Sequence, residues 1–293
     1  MKVVALFDGI GTGLQALKNL GIKVDEYHCF EIEKYALQVS KSNHPEMIHH
    51  GDLTQFDFSQ FSDVDLLMGG SPCQGFSFAG KGLAFDDPRS KLFFEYVKIR
   101  DMIKPKHFFL ENVQMKQEYL NIMTNYMGVT PITINSSLVS AQKRPRNYWC
   151  SSDISLPKNT NVHIKDILED TTLSNPAFIV GRRINSEGKR EDKDKSIPLV
   201  QCLEVRQGTD KTGCLTTIQK DNVVTNLPVG RHYDVFKRYA KGVDWRYLTP
   251  IELERLQTFP DNYTAVVSDS QRKRLLGKCW TVKVIEHIIH SLV

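Results

Sequence analysis

The chain has 293 residues and a net charge of +4, and 41% of its residues are hydrophobic. This length allows one large α/β domain, or one domain with a smaller inserted lobe, and is enough to bury a substantial core. No apolar run approaches the roughly 20 residues of a membrane-spanning helix. The six scattered cysteines suggest neither a zinc site nor a disulfide framework, so the sequence predicts a cytoplasmic protein with reduced thiols.

The first predicted unit consists of a strand, a glycine-rich turn and a helix. The first residues, too short for a signal peptide, give an apolar strand at 3–7, and three alternating glycines lead into a helical pattern that ends at Gly21. This order is typical of a doubly wound parallel sheet. A second strand, 27–30, ends at Glu31, an acid that would hold ribose hydroxyls in a dinucleotide fold. The glycine spacing matches a pyrophosphate site only weakly, and a nicotinamide cofactor stays open at this point.

The stretch DLLMGGSPCQGFS, at 65–77, has the features of a reactive loop. An apolar run ends in two glycines, as a buried strand does where it meets a tight loop. The loop then presents Cys73 beside Pro72, at the carboxyl end of a strand, where open α/β sheets place their chemistry. A lone cysteine is more often a small buried hydrophobe, and these residues alone do not decide between the two readings.

Two further strands end in charged residues. The strand at 107–110 leads into Glu111, which is either a site residue or the cap of the next helix. The strand at 131–138 leads towards Arg144 and Arg146, whose side chains project the same way if the backbone is extended. Such a basic cluster is more often simply solvated.

Residues 151–245 change in character. The segment 181–196 is charged and poor in apolar residues, which predicts a mobile loop, while β-like runs at 199–205 and 214–218 predict a small β-rich lobe. Residues 181–243 carry 13 Lys/Arg and eight Asp/Glu, and the remainder of the chain has a net charge of −1. A basic lobe on a nearly neutral body favours a polyanionic partner, although a solvated face of mixed charge would give the same pattern.

The carboxy-terminal part is predicted to be helical. Thr249, Pro250 and Glu252 have the order of an N-cap, a first-turn proline and a capping-box glutamate, and they open a helix at 252–259. A last helix follows at 277–293.

Several blocks of this sequence resemble, in order, those of the DNA (cytosine-5) methyltransferases. They are FDGIGTG at 7–13, GD at 51–52, SPCQGFS at 71–77, LENV at 110–113, QKRPR at 142–146, RYLTPIELERLQTFPDNY at 246–263 and RLLGKCWTVKVIEHI at 274–288. The opening and closing blocks are most similar to the de novo branch known from vertebrates. The middle of the chain is unmatched.

The resemblance implies a doubly wound, Rossmann-like α/β fold that depends on S-adenosylmethionine, with a catalytic domain at 1–150 and 246–293 and a target-recognition lobe at 151–245. It implies methylation of carbon 5 of a cytosine flipped out of double-stranded DNA, without a metal or a membrane. A tRNA cytosine-5 methyltransferase and an inactive DNA-binding relative are the alternatives. A homo-oligomer, a cognate restriction enzyme and a location at the nucleoid stay open.

The resemblance also implies two sets of site residues. At the base, Cys73 is the nucleophile, Glu111 faces the ring and Arg146 binds the carbonyl oxygen. Residues in support of the base and its loop are Pro72, Asn112, Gln142 and Arg144. Residues at the cofactor are Phe7, Asp8, Gly9, Gly11, Thr12, Glu31, Ile32, Asp52, Leu53 and Trp280. The family usually has an aromatic residue where Ile32 stands, and often has Asn where Lys278 stands.

Overall fold

A computed structural model describes residues 1–72, 91–227, 232–233 and 244–293 of the chain. Within these ranges the chain forms seven α-helices and twelve strands. They are β1 (Lys2–Leu6), α1 (Thr12–Asn19), β2 (Glu26–Phe30), α2 (Lys34–Asn43), β3 (Ile48–His49), β4 (Leu66–Gly70), α3 (Lys91–Ile103), β5 (His107–Val113), α4 (Gln117–Met127), β6 (Ile132–Asn135), β7 (Pro145–Cys150), β8 (Asn175–Arg183), β9 (Leu199–Val205), β10 (Val223–Thr225), β11 (His232–Tyr233), β12 (Trp245–Tyr247), α5 (Pro250–Leu256), α6 (Asp269–Lys278) and α7 (Val282–Leu292).

The larger sheet has seven strands in the order β3-β2-β1-β4-β5-β7-β6. The strands from β3 to β5 are parallel, and β7 runs antiparallel to both of its neighbours. The strand order reverses between β1 and β4, and in open α/β sheets ligands bind outside the carboxyl ends of the strands at such a reversal. The predicted doubly wound arrangement is therefore present, and it brings the ends of β1, β2, β4 and β5 to one edge.

Both faces of this sheet are buried. In β1, Val3 and Ala5 belong to a core cluster shared with α1 and α7, whereas Val4 and Leu6 belong to a second cluster shared with α3 and α4. Parallel strands covered by helices on both sides are apolar throughout for this reason. No helix in the described part of the chain is long and apolar enough to cross a membrane.

The second sheet is antiparallel, with five strands in the order β11-β9-β8-β10-β12. Strand β9 coincides with the predicted run at 199–205. Because β12 pairs with β10, this sheet extends to Tyr247, just past the predicted boundary at 245. The predicted run at 214–218 is not a strand; it forms an irregular segment packed against α6, where Gly277 leaves no room for a side chain beside Thr216.

The two predictions for the carboxy-terminal helices have different outcomes. The capping box is confirmed, because Thr249 Oγ1 accepts the Glu252 amide and Glu252 Oε2 accepts the Thr249 amide, so α5 begins at Pro250. The single helix predicted at 277–293 is wrong. An extended backbone at Cys279 ends α6 and separates it from α7, and this break positions Trp280.

Candidate active site

The predicted site residues gather where four parallel strands end. Phe7 follows β1, Glu31 follows β2 and Ser71 follows β4. Glu111 lies within β5 and pairs in register with Gly70, the last residue of β4. Four segments that are far apart in sequence therefore meet along one edge of the sheet. Cys73 lies outside the described residues.

The turn between β1 and α1 has an unusual backbone. Phe7, Gly9 and Gly11 have φ values of 58°, 64° and 83°, in the left-handed region that favours glycine. A Cβ at Gly11 would lie 2.8 Å from Cδ2 of His44, whereas a Cβ at Gly9 would have nothing within 4 Å. Gly11 is thus required by close packing, and the turn is open on the side of Gly9.

The Glu31 carboxylate holds this turn against the end of β2. Its Oε2 accepts the Gly9 amide at 2.9 Å, and its Oε1 accepts the amides of Ile32 and Glu33 at 2.8 and 2.7 Å. Glu31 is half-buried, and an ionised carboxylate has about four lone-pair positions. Three of these positions are used, so the carboxylate keeps the capacity to accept one hydroxyl group of a ligand, in agreement with the predicted ribose contact.

Two polar atoms beside this turn have no partner among the described residues. Asp8 is buried, and its Oδ1 accepts the Tyr27 hydroxyl at 2.8 Å, while its Oδ2 has no partner. Burial raises the pKa of Asp8 to about 7, against the lowering effect of the Tyr27 hydrogen bond. The Thr12 hydroxyl is also buried without a partner. Buried polar groups are nearly always hydrogen-bonded, so the pair fits a position beside a polar ligand.

A chain of hydrogen bonds anchors the turn from behind. Tyr263 donates to the Ile10 carbonyl at 2.8 Å, and its hydroxyl lies 2.9 Å from Nε2 of His44, whose Nδ1 lies 2.9 Å from Nζ of Lys18. Burial, followed by the Lys18 charge, lowers the pKa of His44 to about 4, so the ring is neutral at physiological pH. These residues were not predicted as part of the site. The only signal was that Tyr263 closes one of the recognised blocks.

Three further residues predicted at the cofactor occupy different environments. Ile32 is 72% exposed. Leu53 is buried in the same core cluster as Phe30. Asp52 is exposed, and its Oδ1 accepts the amide and the hydroxyl of Thr54 at 2.9 and 2.8 Å. Ile32 and Asp52 are thus accessible at the sheet edge, whereas the side chain of Leu53 serves the core.

Glu111, Arg146 and Trp280 form a compact polar group. Arg146 Nε lies 3.1 Å from Glu111 Oε1, and the Trp280 indole N–H donates to Glu111 Oε2 at 3.1 Å. Glu111 and Arg146 have side-chain exposures of only 12% and 15%. Burial opposes the charge on Arg146, but Glu111 and other neighbours keep the pKa of Arg146 above its ordinary value. The guanidinium therefore stays charged. Lys278, two residues before Trp280, is exposed.

Asn112 ties β5 to the loop that follows β4. Its Nδ2 donates to Ser71 Oγ at 3.0 Å and to the Ser71 carbonyl at 3.3 Å. Pro72 follows, half-buried, as the last described residue before Cys73. Asn112 is thus placed where it holds the backbone two residues before Cys73.

Gln142 and Arg144, which were predicted to support the base, have protein partners instead. Gln142 is fully buried, donates to the Leu256 carbonyl at 2.8 Å and accepts the Leu215 amide at 3.1 Å. Arg144 is also buried and donates to the carbonyls of Leu215 and Cys279 at 2.7 and 3.0 Å. Both side chains join the segment before β7 to the lobe segment. Gln142 also reaches the end of α5, and Arg144 reaches the break between α6 and α7.

Comparisons with known proteins show the family to which the chain belongs. A family model described as C-5 cytosine-specific DNA methylase matches residues 1–293. The Type II methyltransferase M1.ScrFI of Lactococcus lactis subsp. cremoris is 32% identical over 310 residues, which cover 100% of this chain and 78% of the relative. The Type II methyltransferase M.HhaI of Haemophilus parahaemolyticus is 26% identical over 324 residues, which cover 100% of this chain and 94% of the relative.

The fold is also that of solved methyltransferases. The structure of the Entamoeba histolytica methyltransferase EhMeth matches with a TM-score of 0.68 at 18% identity, covering 100% of this chain and 97% of the other. The predicted methyltransferase fold is confirmed. The two sequence relatives are bacterial, and they give no support to the expected likeness to the vertebrate de novo branch.

Proposed function

We propose that this chain, which belongs to the family of C-5 cytosine-specific DNA methylases, transfers a methyl group from S-adenosylmethionine to carbon 5 of a cytosine in duplex DNA. The observation that carries the proposal is the largely buried pair of Glu111 and Arg146, at the sheet edge where the loop leading to Cys73 begins. A carboxylate and a guanidinium at this edge match the polar edge of a pyrimidine ring.

The turn after β1 and the end of β2 fit the cofactor. Glu31 would hold a ribose hydroxyl, because its carboxylate is oriented by Gly9 yet retains acceptor capacity. Asp8 and Thr12 would meet the polar methionine portion, which supplies partners for their unpaired atoms. Ile32, exposed at the end of β2, would cover the adenine. When bound, S-adenosylmethionine supplies an electrophilic methyl group to carbon 5.

Carbon 5 of cytosine is too weakly nucleophilic to react directly, so we assign covalent catalysis to Cys73. The thiolate forms a bond to carbon 6, and the displaced ring electrons move towards nitrogen 3 and the carbonyl oxygen. Glu111 stabilises nitrogen 3 by carrying the proton shared with it, and Arg146 donates to the carbonyl oxygen. After methylation, solvent water accepts the carbon-5 proton, the electrons of that C–H bond restore the double bond between carbons 5 and 6, and the electrons of the C–S bond leave with sulfur as the thiolate.

The reacting face of a cytosine is covered inside a duplex, so the base must be flipped out. The lobe at 151–245, with its excess of positive charge, would hold the DNA backbone and select the site. Action on DNA would locate the protein at the nucleoid in the cytoplasm. A cognate restriction enzyme and a homo-oligomer remain open as partners.

The proposal is tested with purified protein, methyl-labelled S-adenosylmethionine, and duplex DNA or tRNA as acceptor. We expect label on carbon 5 of cytosine in DNA. DNA that carries 5-fluorocytosine at the site should trap the wild type covalently, because fluorine does not leave as a proton does, whereas Cys73→Ala should form no adduct. Label on tRNA alone would favour the tRNA methyltransferase. DNA binding without transfer to either acceptor would favour an inactive DNA-binding protein.

A further inference from the structure

Trp280 lies in the break between α6 and α7, with its indole ring against β5. The residue is 7% exposed, and its ring centroid lies 5.5 Å from that of Phe109, with the ring planes at 57°. Phe109 and Glu111 are two residues apart on β5, so their side chains point to the same face of the sheet. A ring that packs on Phe109 is therefore in reach of the Glu111 carboxylate.

The Glu111 carboxylate is held by one donor on each oxygen. Arg146 Nε lies 3.1 Å from Oε1, and Trp280 Nε1 donates to Oε2 at 3.1 Å. A single donor would leave the carboxylate free to turn about its last side-chain bond. Two donors from opposite sides define its plane, and such preorganisation is a main source of catalytic stabilisation.

Gly70 makes room for this contact. It lies opposite Glu111 in register, and a Cβ at this position would come within 2.8 Å of Trp280 Nε1 and 3.0 Å of Glu111 Oε2. Real Cβ atoms do not approach this closely, so only glycine lets the indole and the carboxylate meet. The second glycine of the MGGSPC stretch is thus explained by space rather than by backbone conformation.

The backbone next to Trp280 is also fixed. The Cys279 carbonyl accepts from Arg144 Nη2 at 3.0 Å, and Arg144 precedes the strand residue Arg146 by two positions. The segment that leads into β7 therefore holds the backbone beside Trp280 through Arg144, while β7 itself holds the Glu111 carboxylate through Arg146.

We infer that Trp280 is a positioning residue, whose indole N–H holds the Glu111 carboxylate in the orientation that faces the cytosine. This inference rests on the proposed methyl transfer, and it differs from the cofactor contact predicted for Trp280 from the sequence. A cofactor residue acts on cofactor affinity. A residue that positions Glu111 acts on turnover.

The first test is Trp280→Phe, which keeps an aromatic ring against Phe109 and removes the N–H. We expect kcat to fall roughly ten- to hundredfold, the effect of misplacing a reacting group, with less than about a twofold change in the Kd of S-adenosylmethionine measured by calorimetry. The matched control is Trp149→Phe, which also removes an indole hydrogen bond of 3.1 Å, here to Thr124 in the core. Its kcat should stay near that of the wild type.

A higher Kd of S-adenosylmethionine with an unchanged kcat in Trp280→Phe would overturn the inference, because Trp280 would then act by binding the cofactor. An equal loss of kcat in Trp149→Phe would also overturn it, since the effect would then be one of packing. If Trp280→Phe kept the wild-type kcat, Trp280 would not position Glu111 for turnover, and the proposed function would be unaffected.

The second test is a double-mutant cycle with Glu111→Gln, measured in single turnovers. If Trp280 acts through Glu111, adding Trp280→Phe to Glu111→Gln should produce no further loss, because the coupled interaction is already gone. Losses that multiply would show that Trp280 acts elsewhere. If Glu111→Gln alone retains wild-type activity, or the wild type transfers no methyl group, the proposed function fails instead.

Discussion

Asp8 is a carboxyl group in a buried position that disfavours its charged form. Its carboxyl is buried, one oxygen accepts from Tyr27 and the other has no partner in the described structure. Burial raises the pKa of Asp8 from 3.8 to about 7. A carboxyl whose pKa is raised on folding binds its proton more tightly in the native state, so stability is lost as the pH rises from the ordinary value to the raised value.

We therefore expect Asp8 to make the cofactor-free protein less stable at pH 8 than at pH 4.5. At about 1.4 kcal/mol for each unit of pKa, the full effect is roughly 4 kcal/mol. Asp8→Asn keeps an acceptor for Tyr27 and does not titrate. The free energy of unfolding of the wild type relative to Asp8→Asn, from urea titrations, should thus decrease across this range. If the difference in free energy of unfolding between the wild type and Asp8→Asn did not change with pH, the raised pKa of Asp8 would be contradicted.

Glu31 gives the corresponding prediction for the cofactor. Glu31→Ala should weaken binding of S-adenosylmethionine by about 1–3 kcal/mol, because a ribose hydroxyl would lose its acceptor. Calorimetry measures this change, and DNA affinity without cofactor serves as the control that should not move. An unaltered Kd of S-adenosylmethionine would show that Glu31 does not bind the cofactor.

One residue of helix α5, Glu252, has two structural roles. Glu252 closes the capping box, but it is also fully buried and accepts both Arg246 Nη atoms at 2.7 Å. Arg246 belongs to β12, the last strand of the lobe sheet. The glutamate in the first turn of the helix thus also joins the smaller sheet to α5.

Arg246→Met should lower the free energy of unfolding by roughly 3 kcal/mol, because it leaves the Glu252 charge buried without its cation. Arg255 on the same helix offers a matched control, since it pairs with Asp261 in the same two-bond geometry, at 2.8 and 2.6 Å, with exposures of 32% and 43%. Arg255→Met should cost less than about 1 kcal/mol. Equal losses in the two variants, measured by chemical denaturation, would rule out burial as the cause.

For the whole molecule, we expect DNA binding to depend on which basic side chains of the lobe are free of ion pairs, and not on how many basic residues the lobe has. Arg182 pairs with Glu204, Lys189 lies 3.1 Å from Glu187, and Arg190 pairs with Asp192. Lys193 and Lys195 are exposed, and neither has an ion pair among the described residues. Within 181–196, these two lysines are thus the best candidates to contact phosphates.

Replacing Lys193 and Lys195 by Gln should reduce the salt dependence of DNA binding. Each phosphate contact contributes about −0.9 to the slope of log affinity against log salt, so the slope should flatten by up to about 1.8 while the methylated sequence stays the same. Lys189→Gln, which removes a paired charge, is the control and should change the slope less. Salt titrations by fluorescence anisotropy, with sequencing of methylated library DNA, measure both effects. An unchanged slope in the double variant would exclude these lysines from the DNA interface.

The sequence by itself determined the leading parallel strands of the larger sheet and the edge at which they meet. The glycine turn, the apolar strands and the capping box are local signals, in which residues within a few positions of one another fix the backbone. Glu31 and Glu111 could be placed because each directly follows a predicted apolar run, and parallel strands end at one edge. The resemblance then supplied roles for Cys73, which lies outside the described residues, and for Arg146.

Only the tertiary structure decided which side chains share a contact. Trp280 and Glu111 are 169 positions apart, and no local pattern signals that an indole N–H ends on that carboxylate. Arg144 and Gln142 lie in a basic block that predicts a solvated cluster or, by resemblance, support for the flipped base. Burial instead turns their donors towards the backbone carbonyls of Leu215, Leu256 and Cys279. Local chemistry sets the elements, whereas the packing of distant segments sets the partners of each polar atom, because buried groups must find hydrogen bonds wherever the fold brings them.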